Sequence, residues 1–560
     1  MEVIVTGSIP ATREFTLVHT ADLVAAQIPD RELIVHGERR YTYAQIAERS
    51  RRLAAFLQAQ GLGCHTERAD LQSHEVGQDL VGIYAYNGPE FVESIVGSLR
   101  ARVAPFNVNF RYVGDELRYL LSDSGATGLI YHAAFAPRLA QVLPDLPTLR
   151  VLVQIADGSG NALLDGAVDY ETVLAEADPE ALATEPAPDD LYVLYTGGTT
   201  GMPKGVLWRQ HDLFVAACGG RDMTTGAVVE SYEVIAARVA ANPGVRIMIL
   251  PPLIHGAAQW AALTALSSGQ TVVFPPTVDR IDAPEVVRVA EQERVSVITV
   301  VGDAMARPVL AAIEASDADL SGLFAVANGG AVLSPVVKER LIAAKPGLVV
   351  LDGVGSSESG AQMMHVSAAG AVGSGTFTAG LQTRVLAEDR SAVLEPGHAG
   401  IGWLAQRGHG PLGYKGDAAK SAATFPVVDG VRYSLPGDRA RHLAEGGIAL
   451  LGRDSVTINT GGEKVFAEEV EMAMAGHPAV ADVIVVGRPS ERWGQEVVAV
   501  VALAPGVDAS AAELITHAAS GLARYKLPKA VVFRTALTRS PAGKPDYRWA
   551  REQAESTRSE

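Results

Sequence analysis

Residues 191–205 read LYVLYTGGTTGMPKG. The apolar run over 192–195 predicts a strand, which leads into a glycine- and threonine-rich loop formed by Thr196, Gly197, Gly198, Thr199, Thr200 and Gly201. Glycines without a Cβ let backbone N–H groups approach an anion, threonine hydroxyls add donors, and Lys204 adds a charge for phosphate oxygens. The stretch therefore predicts a phosphate-binding loop. It is not the GxxxxGK[ST] loop, because Pro203 precedes the lysine and Gly205 follows it.

The sequence on either side alternates short apolar runs with amphipathic helical patterns. Residues 44–60 place Ile46, Leu53 and Leu57 on one helical stripe, and strand-like runs recur at 79–84, 150–155, 246–250, 271–274, 296–301 and 348–351. This alternation predicts an α/β fold whose large N-terminal part contains mostly parallel, helix-covered sheets. A glycine-rich polar region at 370–450 predicts a β-rich subdomain, and residues 456–560 suffice for a small α+β C-terminal domain.

Composition and charge exclude several classes of protein. The 560 residues include 47 basic and 64 acidic ones, which gives a net charge of −17 and argues against a general nucleic-acid or anionic-membrane binder. No stretch approaches the roughly 18 consecutive apolar residues of a membrane helix, so integral membrane association is not expected. Two cysteines, Cys64 and Cys218, cannot make a disulfide scaffold or a four-thiolate zinc site, and they fit a reducing cytoplasm.

Further motifs follow the phosphate loop in a fixed order. They are PPLIHG at 251–256, NGGA at 328–331, VGSSE at 354–358, PGD at 436–438, GR at 452–453, TGGEK at 460–464 and SPAGK at 540–544. Together with TGGTTGMPKG, these segments resemble the signature motifs of the acyl-adenylate-forming (ANL) superfamily, which includes acyl-CoA synthetases, luciferases and the adenylation domains of peptide synthetases. The resemblance extends over residues 15–550.

The resemblance implies a set of residues that contact ATP and AMP. Besides the phosphate loop and Lys204, Asp438 would accept both ribose hydroxyls, and Arg453 would donate to ribose or phosphate oxygens. The adenine and its surroundings would involve Gly329, Gly330, Asp352, Gly353, Val354, Gly355, Ser356 and Ser357. Three residues are implied to be catalytic. They are Thr196 of the loop, Glu358 as the carboxylate that helps to hold Mg²⁺, and Lys544 as the lysine that bridges the acid and the α-phosphate.

The resemblance also implies an acyl pocket, a thiol channel and a mobile domain. The acyl pocket would include His255, Gly256, Gly330 and Ala331, and the coenzyme A (CoA) channel would be lined by Gly461, Gly462 and Glu463. The large N-terminal AMP-binding domain would span 1–453, the hinge would lie at Asp454 or Ser455, and the C-terminal lid would span 456–560. The lid would close for adenylation and then rotate about the hinge, which is gating by domain motion.

The implied reaction has two steps and several open alternatives. A carboxylic acid reacts with ATP to give acyl-AMP and pyrophosphate, and CoA then takes the acyl group. Segments 106–112, 302–308 and 539–550 are similar to an actinobacterial branch that activates sterol side-chain acids, whereas 63–77 looks like an insertion. We therefore expect a steroid or another long, bulky acid, with a fatty acid as the next alternative.

Two other functions remain open at the level of sequence. One is an acyl-AMP ligase that delivers to the thiol of a carrier protein, although the chain shows no appended carrier domain. The other is a non-catalytic nucleotide-binding protein on the same fold, which is disfavoured because Glu358, Asp438, Arg453 and Lys544 are all present. The oligomeric state is also open, with a homodimer as one alternative.

Overall fold

The computed structural model describes residues 14–196, 202–222, 226–373, 375–460, 463–539 and 543–556. The helices in these ranges are α1 Leu17–Gln27, α2 Tyr43–Ala59, α3 Pro89–Arg100, α4 Gly114–Ser124, α5 Ala136–Val142, α6 Tyr170–Glu176, α7 Gln210–Ala217, α8 Tyr232–Ala241, α9 Gly256–Ser268, α10 Ala283–Gln292, α11 Gly302–Glu314, α12 Pro335–Ala344, α13 Ala418–Thr424, α14 Ala467–Ala475, α15 Ala511–Ala518 and α16 Tyr547–Ser556. None of these helices is long and apolar enough to cross a membrane.

Most residues of the predicted motifs lie on strands or directly beside their ends. In chain order they are β1 Glu32–His36, β2 Arg39–Thr42, β3 Leu80–Tyr84, β4 Ala104–Asn107, β5 Gly128–His132, β6 Val151–Ile155, β7 Ala167–Asp169, β8 Leu191–Thr196, β9 Lys204–Arg209, β10 Arg246–Ile249, β11 Thr271–Phe274, β12 Val297–Val300, β13 Ala325–Gly329, β14 Val349–Ser356, β15 Gly360–Ser367, β16 Thr376–Ala379, β17 Thr383–Leu386, β18 Gly402–Arg407, β19 Gly413–Tyr414, β20 Val427–Val428, β21 Val431–Ser434, β22 Asp438–His442, β23 Gly447–Arg453, β24 Ile458–Thr460, β25 Glu463–Val465, β26 Val480–Ser490, β27 Gly494–Leu503 and β28 Ala530–Phe533.

The chain divides into two compact units. The first contains the described residues within Met1–Thr299, Ser356–Ala361 and His409–Phe425. Its strands β7-β6-β5-β3-β4-β8 form a parallel sheet, to which β9 and then β19 add in antiparallel fashion. A second group of parallel strands, β1-β11-β10-β12, has β2 antiparallel at its edge. One large apolar core of strand and helix side chains fills this unit.

The second unit contains Val300–Gly355, Gln362–Gly408 and the described residues of Pro426–Glu560. Strands β13 and β14 pair in parallel, and β16, β23, β22, β18 and β17 form antiparallel pairs in a β-rich region. Its last third holds a separate sheet, β25-β24-β27-β26, with β28 parallel to β27. That sheet has its own apolar core, which includes Val470, Val485 and Val501.

Local sequence signals explain where several of these elements begin and end. Thr42 caps α2 in a reciprocal capping box with Gln45, so two backbone donors at the start of the helix are satisfied. Helix α3 begins with Pro89, whose missing N–H costs nothing at the first helical position. Helix α4 ends at Gly125, which adopts a left-handed conformation that glycine tolerates.

The predicted α/β fold, with its parallel helix-covered sheets, β-rich region and small C-terminal α+β part, is confirmed. The division into 1–453, a hinge at 454–455 and a lid at 456–560 remains a prediction. The second unit groups the C-terminal residues with the β-rich region and with Val300–Gly355. Within it, however, the residues that follow Asp454 build the separate core described above.

Candidate functional site

The predicted phosphate loop joins two paired strands of the first unit. Strand β8 ends at Thr196, β9 begins at Lys204, and these two residues are opposite each other in the antiparallel pair. Gly197, Gly198, Thr199, Thr200 and Gly201 lie outside the described residues. Because Thr196 and Lys204 are paired, the two ends of the loop lie side by side. A side chain at Gly205 would approach Val193 and Tyr195 within 3.0 Å, so the glycine after the lysine permits this close pairing.

Lys204 forms an ion pair with Asp417 at the start of α13. The other carboxylate oxygen of Asp417 accepts the backbone N–H of Lys420 at 2.9 Å and thereby caps the helix. The hydrogen bond from Lys204 lowers the pKa of Asp417. The lysine that the sequence assigns to phosphate is thus held by a carboxylate of its own unit.

Glu358 lies in a turn that two buried aromatic residues of the first unit attach to the sheet. Its Oε1 accepts the Tyr414 hydroxyl at 2.8 Å, and its backbone N–H donates to Ser356 Oγ at 3.2 Å. The carbonyl of Ser357 accepts the indole N–H of Trp208 at 2.9 Å. Glu358 is half-buried and offers hard carboxylate oxygens, so it fits an Mg²⁺ ion whose remaining ligands are phosphate oxygens and water.

His255 and Gly256 begin helix α9 beside strand β8. His255 is the residue before the first helical position, and a Cβ at Gly256 would lie 2.6 Å from Leu194 and 3.3 Å from Trp260. Only a glycine allows the start of α9 to approach the strand that ends in the phosphate loop. The two predicted acyl-pocket residues of the first unit are therefore adjacent to that strand.

Two buried asparagines that the sequence analysis missed hold this segment in place. Asn107 donates to the carbonyls of Tyr195 at 2.8 Å and Ile254 at 2.7 Å, and its oxygen accepts Tyr195 N–H at 2.9 Å. Asn87 accepts Leu253 N–H at 2.6 Å and donates to the carbonyl of Pro251. No local sequence signal marks these two asparagines, because partners such as the carbonyls of Ile254 and Pro251 lie far away in the chain.

In the second unit, Asn328 organises the Gly-Gly-Ala loop. Its oxygen accepts Gly302 N–H at 2.7 Å, and its amide donates to the carbonyl of Ala331 at 3.0 Å and to Asp352 at 2.9 Å. Gly330 adopts a φ of +82°, a left-handed conformation that glycine accommodates without strain. The structure thus brings Gly329, Gly330 and Ala331 together with the start of α11.

The Asp352 carboxylate is engaged by protein groups. Asp352 is 5% exposed, and besides the Asn328 amide it forms an ion pair with Lys338, which is 2% exposed and also donates to the carbonyl of Gly373 at 2.8 Å. Gly353 and Gly355 are exposed, whereas Val354 packs against the core of the β-rich region. The exposed backbone on either side of Val354 is thus the part of this segment that is accessible to a ligand, and Lys338 is a buried charge that the sequence analysis missed.

Asp438 and Arg453 are opposite each other at the ends of β22 and β23. The Arg453 Nε lies 3.5 Å from the Asp438 carboxylate, and the Asp454 N–H donates to the carbonyl of Gly437 at 3.0 Å. The two residues assigned to ribose are therefore neighbours on one antiparallel pair. A carboxylate acceptor and a guanidinium donor side by side can bind adjacent hydroxyl and phosphate oxygens.

The predicted hinge residues follow directly in a short turn, Asp454–Val456. Asp454 lies 3.8 Å from the guanidinium of Arg439, which is 2% exposed, pairs with Glu388 and covers the ring of Trp403 at 4.1 Å. Burial lowers the pKa of Arg439. Ser455 occupies the middle of the same turn. Asp454 thus lies beside a buried arginine that sequence reasoning did not identify.

Two acidic residues with raised pKa values lie on helix α14, and one of them, Glu471, is buried. Glu468 accepts the Arg453 backbone N–H at 3.1 Å, and Glu471 accepts the Val485 N–H at 2.8 Å. Burial raises the pKa of Glu468 to about 7 and that of Glu471 to about 8, and the neighbouring Glu468 charge adds to the shift of Glu471. Helix α14 therefore contacts the end of strand β23 through a carboxyl group whose pKa burial has raised.

The predicted CoA-channel loop is only partly described. Gly461 and Gly462 lie outside the described residues, and Glu463 is the exposed first residue of β25, opposite Thr460 of β24. Strands β24 and β25 thus form an antiparallel pair on either side of the two predicted channel glycines.

Lys544 is exposed and directly follows Gly543, whereas residues 540–542 lie outside the described ranges. Gly543 has a φ of +73°, and a Cβ there would lie 3.3 Å from the carbonyl oxygen of Val301. The residue before the lysine therefore packs against the segment that leads into α11. The same segment is hydrogen-bonded to Asn328 of the Gly-Gly-Ala loop.

Comparisons with known proteins identify the family. The model of the AMP-binding enzymes matches residues 22–412, and that of the AMP-binding enzyme C-terminal domain matches residues 469–544. The chain belongs to the AMP-binding enzyme family. The predicted superfamily and class of enzyme, an ATP-dependent acid–thiol ligase, are confirmed.

Particular relatives place the chain more narrowly. It is 68% identical to a medium-chain acyl-CoA ligase of Mycobacterium avium over 97% of this chain and 99% of the relative. It is 42% identical to a 3-oxocholest-4-en-26-oate–CoA ligase of Rhodococcus rhodochrous over 96% and 94% of the two chains. The crystal structure of an anthranilate CoA ligase in complex with anthranoyl-AMP matches the fold with a TM-score of 0.81 at 20% identity, over 98% and 99% of the chains.

Proposed function

We propose that this protein converts a carboxylic acid, ATP and CoA into acyl-CoA, AMP and pyrophosphate through an acyl-AMP intermediate. The observation that carries the proposal is the position of Gly543 against Val301, beside the loop of Gly329, Gly330 and Ala331. That contact joins the backbone next to Lys544 to the segment that the sequence assigns to adenine and the acyl group. A lysine beside this segment would be placed to take part in adenylation.

In the first step, an oxygen of the acid attacks the α-phosphorus of ATP and the bond to the pyrophosphate oxygen breaks. The reaction needs no protein nucleophile, so positioning and charge neutralisation carry the catalysis. Lys544 would neutralise charge between the acid and the α-phosphate, while Thr196, the rest of the phosphate loop and Lys204 would donate to the phosphates. Asp438 and Arg453 would hold the ribose through the acceptor and donor pair described above.

Glu358 is the residue that would hold Mg²⁺, through the carboxylate that Tyr414 orients. When bound, the ion would neutralise negative charge on the phosphate oxygens. The engagement of Lys204 by Asp417 implies an exchange of partners, because the ammonium group must leave the Asp417 carboxylate to reach a phosphate.

In the second step, the CoA thiolate attacks the acyl carbon of acyl-AMP, and AMP leaves with the oxygen that bridged carbon and phosphorus. We propose that the 454–455 turn is the hinge about which the residues after it move between the steps. The loop at Gly461, Gly462 and Glu463 would then line the pantetheine path. Free CoA is the favoured acceptor over a carrier-protein thiol, because the relatives above are named as CoA ligases.

For the acyl group, we propose that a medium-chain fatty acid is preferred and that longer or steroid side-chain acids are alternatives. The medium-chain ligase is 68% identical to this chain, whereas the steroid-acid ligase is 42% identical. This order differs from the expectation based on sequence segments alone, in which a steroid acid came first. The segments mark a branch of the family rather than the walls of a pocket.

We place the reaction in the cytoplasm, where ATP and CoA are supplied. Both cysteines, Cys64 and Cys218, are unpaired thiols, which suits a reducing compartment.

The test is an acid panel assayed for pyrophosphate release and CoA consumption. Medium-chain, long-chain, aromatic and steroid acids are offered with ATP and Mg²⁺, with and without CoA. We expect acid-dependent pyrophosphate release with the highest kcat/KM for medium-chain acids, and CoA consumption equal to AMP formed. Pyrophosphate release that does not depend on any acid would contradict the proposed function, and a preference for steroid acids would overturn the substrate order alone.

A further inference from the structure

We propose that Arg539 is a positioning residue for the adenylation step, which fixes the backbone that carries Lys544 and uses Asp482 as its anchor. The inference rests on the proposed function, because it assumes that Lys544 acts in adenylation. It adds a residue that touches neither substrate nor the reacting atoms. Arg539 and Asp482 make contacts that connect strand β26 to the backbone directly before Lys544.

The guanidinium of Arg539 contacts the backbone directly before Lys544. Its Nη1 donates to the carbonyl of Gly543 at 2.9 Å, and Arg539 and Pro545 form an isolated antiparallel bridge. Gly543 is the residue directly before Lys544. The arginine thus holds the peptide unit from which the lysine extends.

Asp482 fixes the other face of the same guanidinium. Arg539 Nε donates to Asp482 Oδ2 at 2.8 Å, and Nη2 bonds the second carboxylate oxygen, so the pair is bidentate. Such a fork of two parallel bonds sets direction as well as distance. The side chains of Arg539 and Asp482 are 18% and 24% exposed, so solvent competes little for either.

The position of Asp482 is fixed by the longest strand pair of the C-terminal sheet. It lies on β26 opposite Ala502 of β27, directly after a register shift that begins at Val480. A bulge of this kind redirects side chains at the end of a strand. The Val483 N–H donates to Asp482 at 2.8 Å, which ties the carboxylate to its own backbone.

Val301 also lies close to Gly543, because a Cβ placed on Gly543 would lie 3.3 Å from the Val301 carbonyl oxygen. The hydrogen bond from Arg539 to the Gly543 carbonyl therefore restrains a stretch of backbone that also lies against the segment leading into α11. A shift of about 1 Å in a catalytic group can lower a rate about 100-fold, which is the scale of effect expected when this restraint is lost.

Measuring the two partial reactions separately distinguishes a positioning role of Arg539 from a role in stabilising the fold. Adenylation is measured as acid-dependent ATP–pyrophosphate exchange, and thioester formation is measured with chemically prepared acyl-AMP and CoA. Lys544 is used only in the first reaction, so a positioning residue for Lys544 affects the first and spares the second. A residue that merely stabilises the fold affects both.

Arg539→Gln is the principal variant, and Arg539→Lys is the second. We expect Arg539→Gln to lower adenylation about 100-fold while thioester formation stays at the wild-type rate. Arg539→Lys keeps a charge for Asp482 but lacks the planar fork that reaches Gly543 at the same time, so it should also lose adenylation, although less.

Arg488→Gln is the matched control. Arg488 lies on the same strand β26, pairs with Glu496 at 2.8 Å and donates to the carbonyl of Ala554 in helix α16 at 2.9 Å, so it contacts neither Gly543 nor Asp482. It should leave the ratio of the two partial reactions unchanged. A loss of adenylation in Arg488→Gln equal to that in Arg539→Gln would overturn the inference.

Lys544→Ala distinguishes a failure of this inference from a failure of the proposed function. If Lys544→Ala abolishes adenylation and Arg539→Gln does not reduce it, Arg539 has no positioning role. The same conclusion follows if Arg539→Gln lowers both partial reactions equally. If Lys544→Ala itself adenylates at the wild-type rate, the assignment of the lysine is wrong and the inference falls with it.

Discussion

At the scale of single residues, one turn holds both charged groups that the first unit is proposed to supply to the triphosphate. In the segment 413–417, the Tyr414 hydroxyl donates to Glu358, and Asp417 forms an ion pair with Lys204. The Gly416 N–H in turn donates to the carbonyl of His74 at 2.8 Å, and His74 belongs to the segment 63–77. The segment that looks like an insertion in the sequence thus supports the turn that orients these two groups.

Tyr414→Phe tests this arrangement. The variant removes a 2.8 Å hydrogen bond to a carboxylate and leaves the ring packing in place. Because Glu358 then loses its orientation, we expect kcat/KM for ATP to fall about tenfold, which corresponds to roughly 1.4 kcal/mol. The Mg²⁺ concentration required for half-maximal rate should rise.

Tyr119→Phe serves as the control for that variant. Tyr119 also donates to a carboxylate, that of Asp123, but over 3.4 Å on the exposed side of α4. Its removal should leave the dependence on Mg²⁺ unchanged. A Tyr414→Phe enzyme with the wild-type requirement for Mg²⁺ would show that this hydroxyl does not orient the metal-binding carboxylate.

At the scale of elements, helix α14 and strand β23 meet at a position where no side chain fits. Gly452 has a φ of +129°, and a Cβ there would overlap the carboxyl group of Glu468, whose Cδ would be 2.8 Å away. The next residue, Arg453, donates its N–H to the same carboxylate. The start of α14 is thereby fixed to the strand that carries a proposed ribose ligand.

Gly452→Ala is expected to destabilise this contact. The positive φ costs an alanine about 1–2 kcal/mol, and overlap with Glu468 adds about 1–3 kcal/mol. The measurement is the midpoint of thermal unfolding, together with the KM for ATP, which should rise because Arg453 shifts with its neighbour.

Gly446→Ala separates the backbone cost of a positive φ from the cost of overlap with Glu468. Gly446 has a φ of +88° in the turn before β23, and nothing lies within 4 Å of a Cβ placed there. This variant should show only the backbone cost and an unchanged KM for ATP. Equal effects of the two substitutions on stability and KM would rule out the contact with Glu468 as the reason for the glycine at 452.

The helices and strands also show which parts of the fold can be predicted from local sequence patterns. Helix α2 and strand β11 were predicted nearly to the residue, because a wide apolar stripe and a short β-branched run are local signals. The roles of Asn107, Lys338 and Arg439 could not be predicted, since each buried polar group finds its partners far away in the chain. Such partners depend on packing between elements, which no local pattern encodes.

At the scale of the whole molecule, each compact unit contains some of the residues that the sequence predicts to bind the nucleotide. Thr196, Lys204 and Glu358 belong to the first, whereas Asp438, Arg453 and Lys544 belong to the second. Their motifs are recognisable in the sequence because each needs fixed residue types, such as glycine at a close approach or a carboxylate for ribose. The residues that orient them, including Tyr414, Asp417 and Arg539, carry no comparable local signal.

The central claim is that the acid is activated by forming a bond to the α-phosphorus of ATP. The most direct measurement supplies a medium-chain acid labelled with ¹⁸O in its carboxylate, together with ATP and CoA, and determines the label in the products by mass spectrometry. We expect one ¹⁸O atom in AMP and none in pyrophosphate, because the bridging oxygen of acyl-AMP stays with phosphorus when the thiolate attacks carbon. Unlabelled AMP, or label recovered in inorganic phosphate together with ADP, would contradict it.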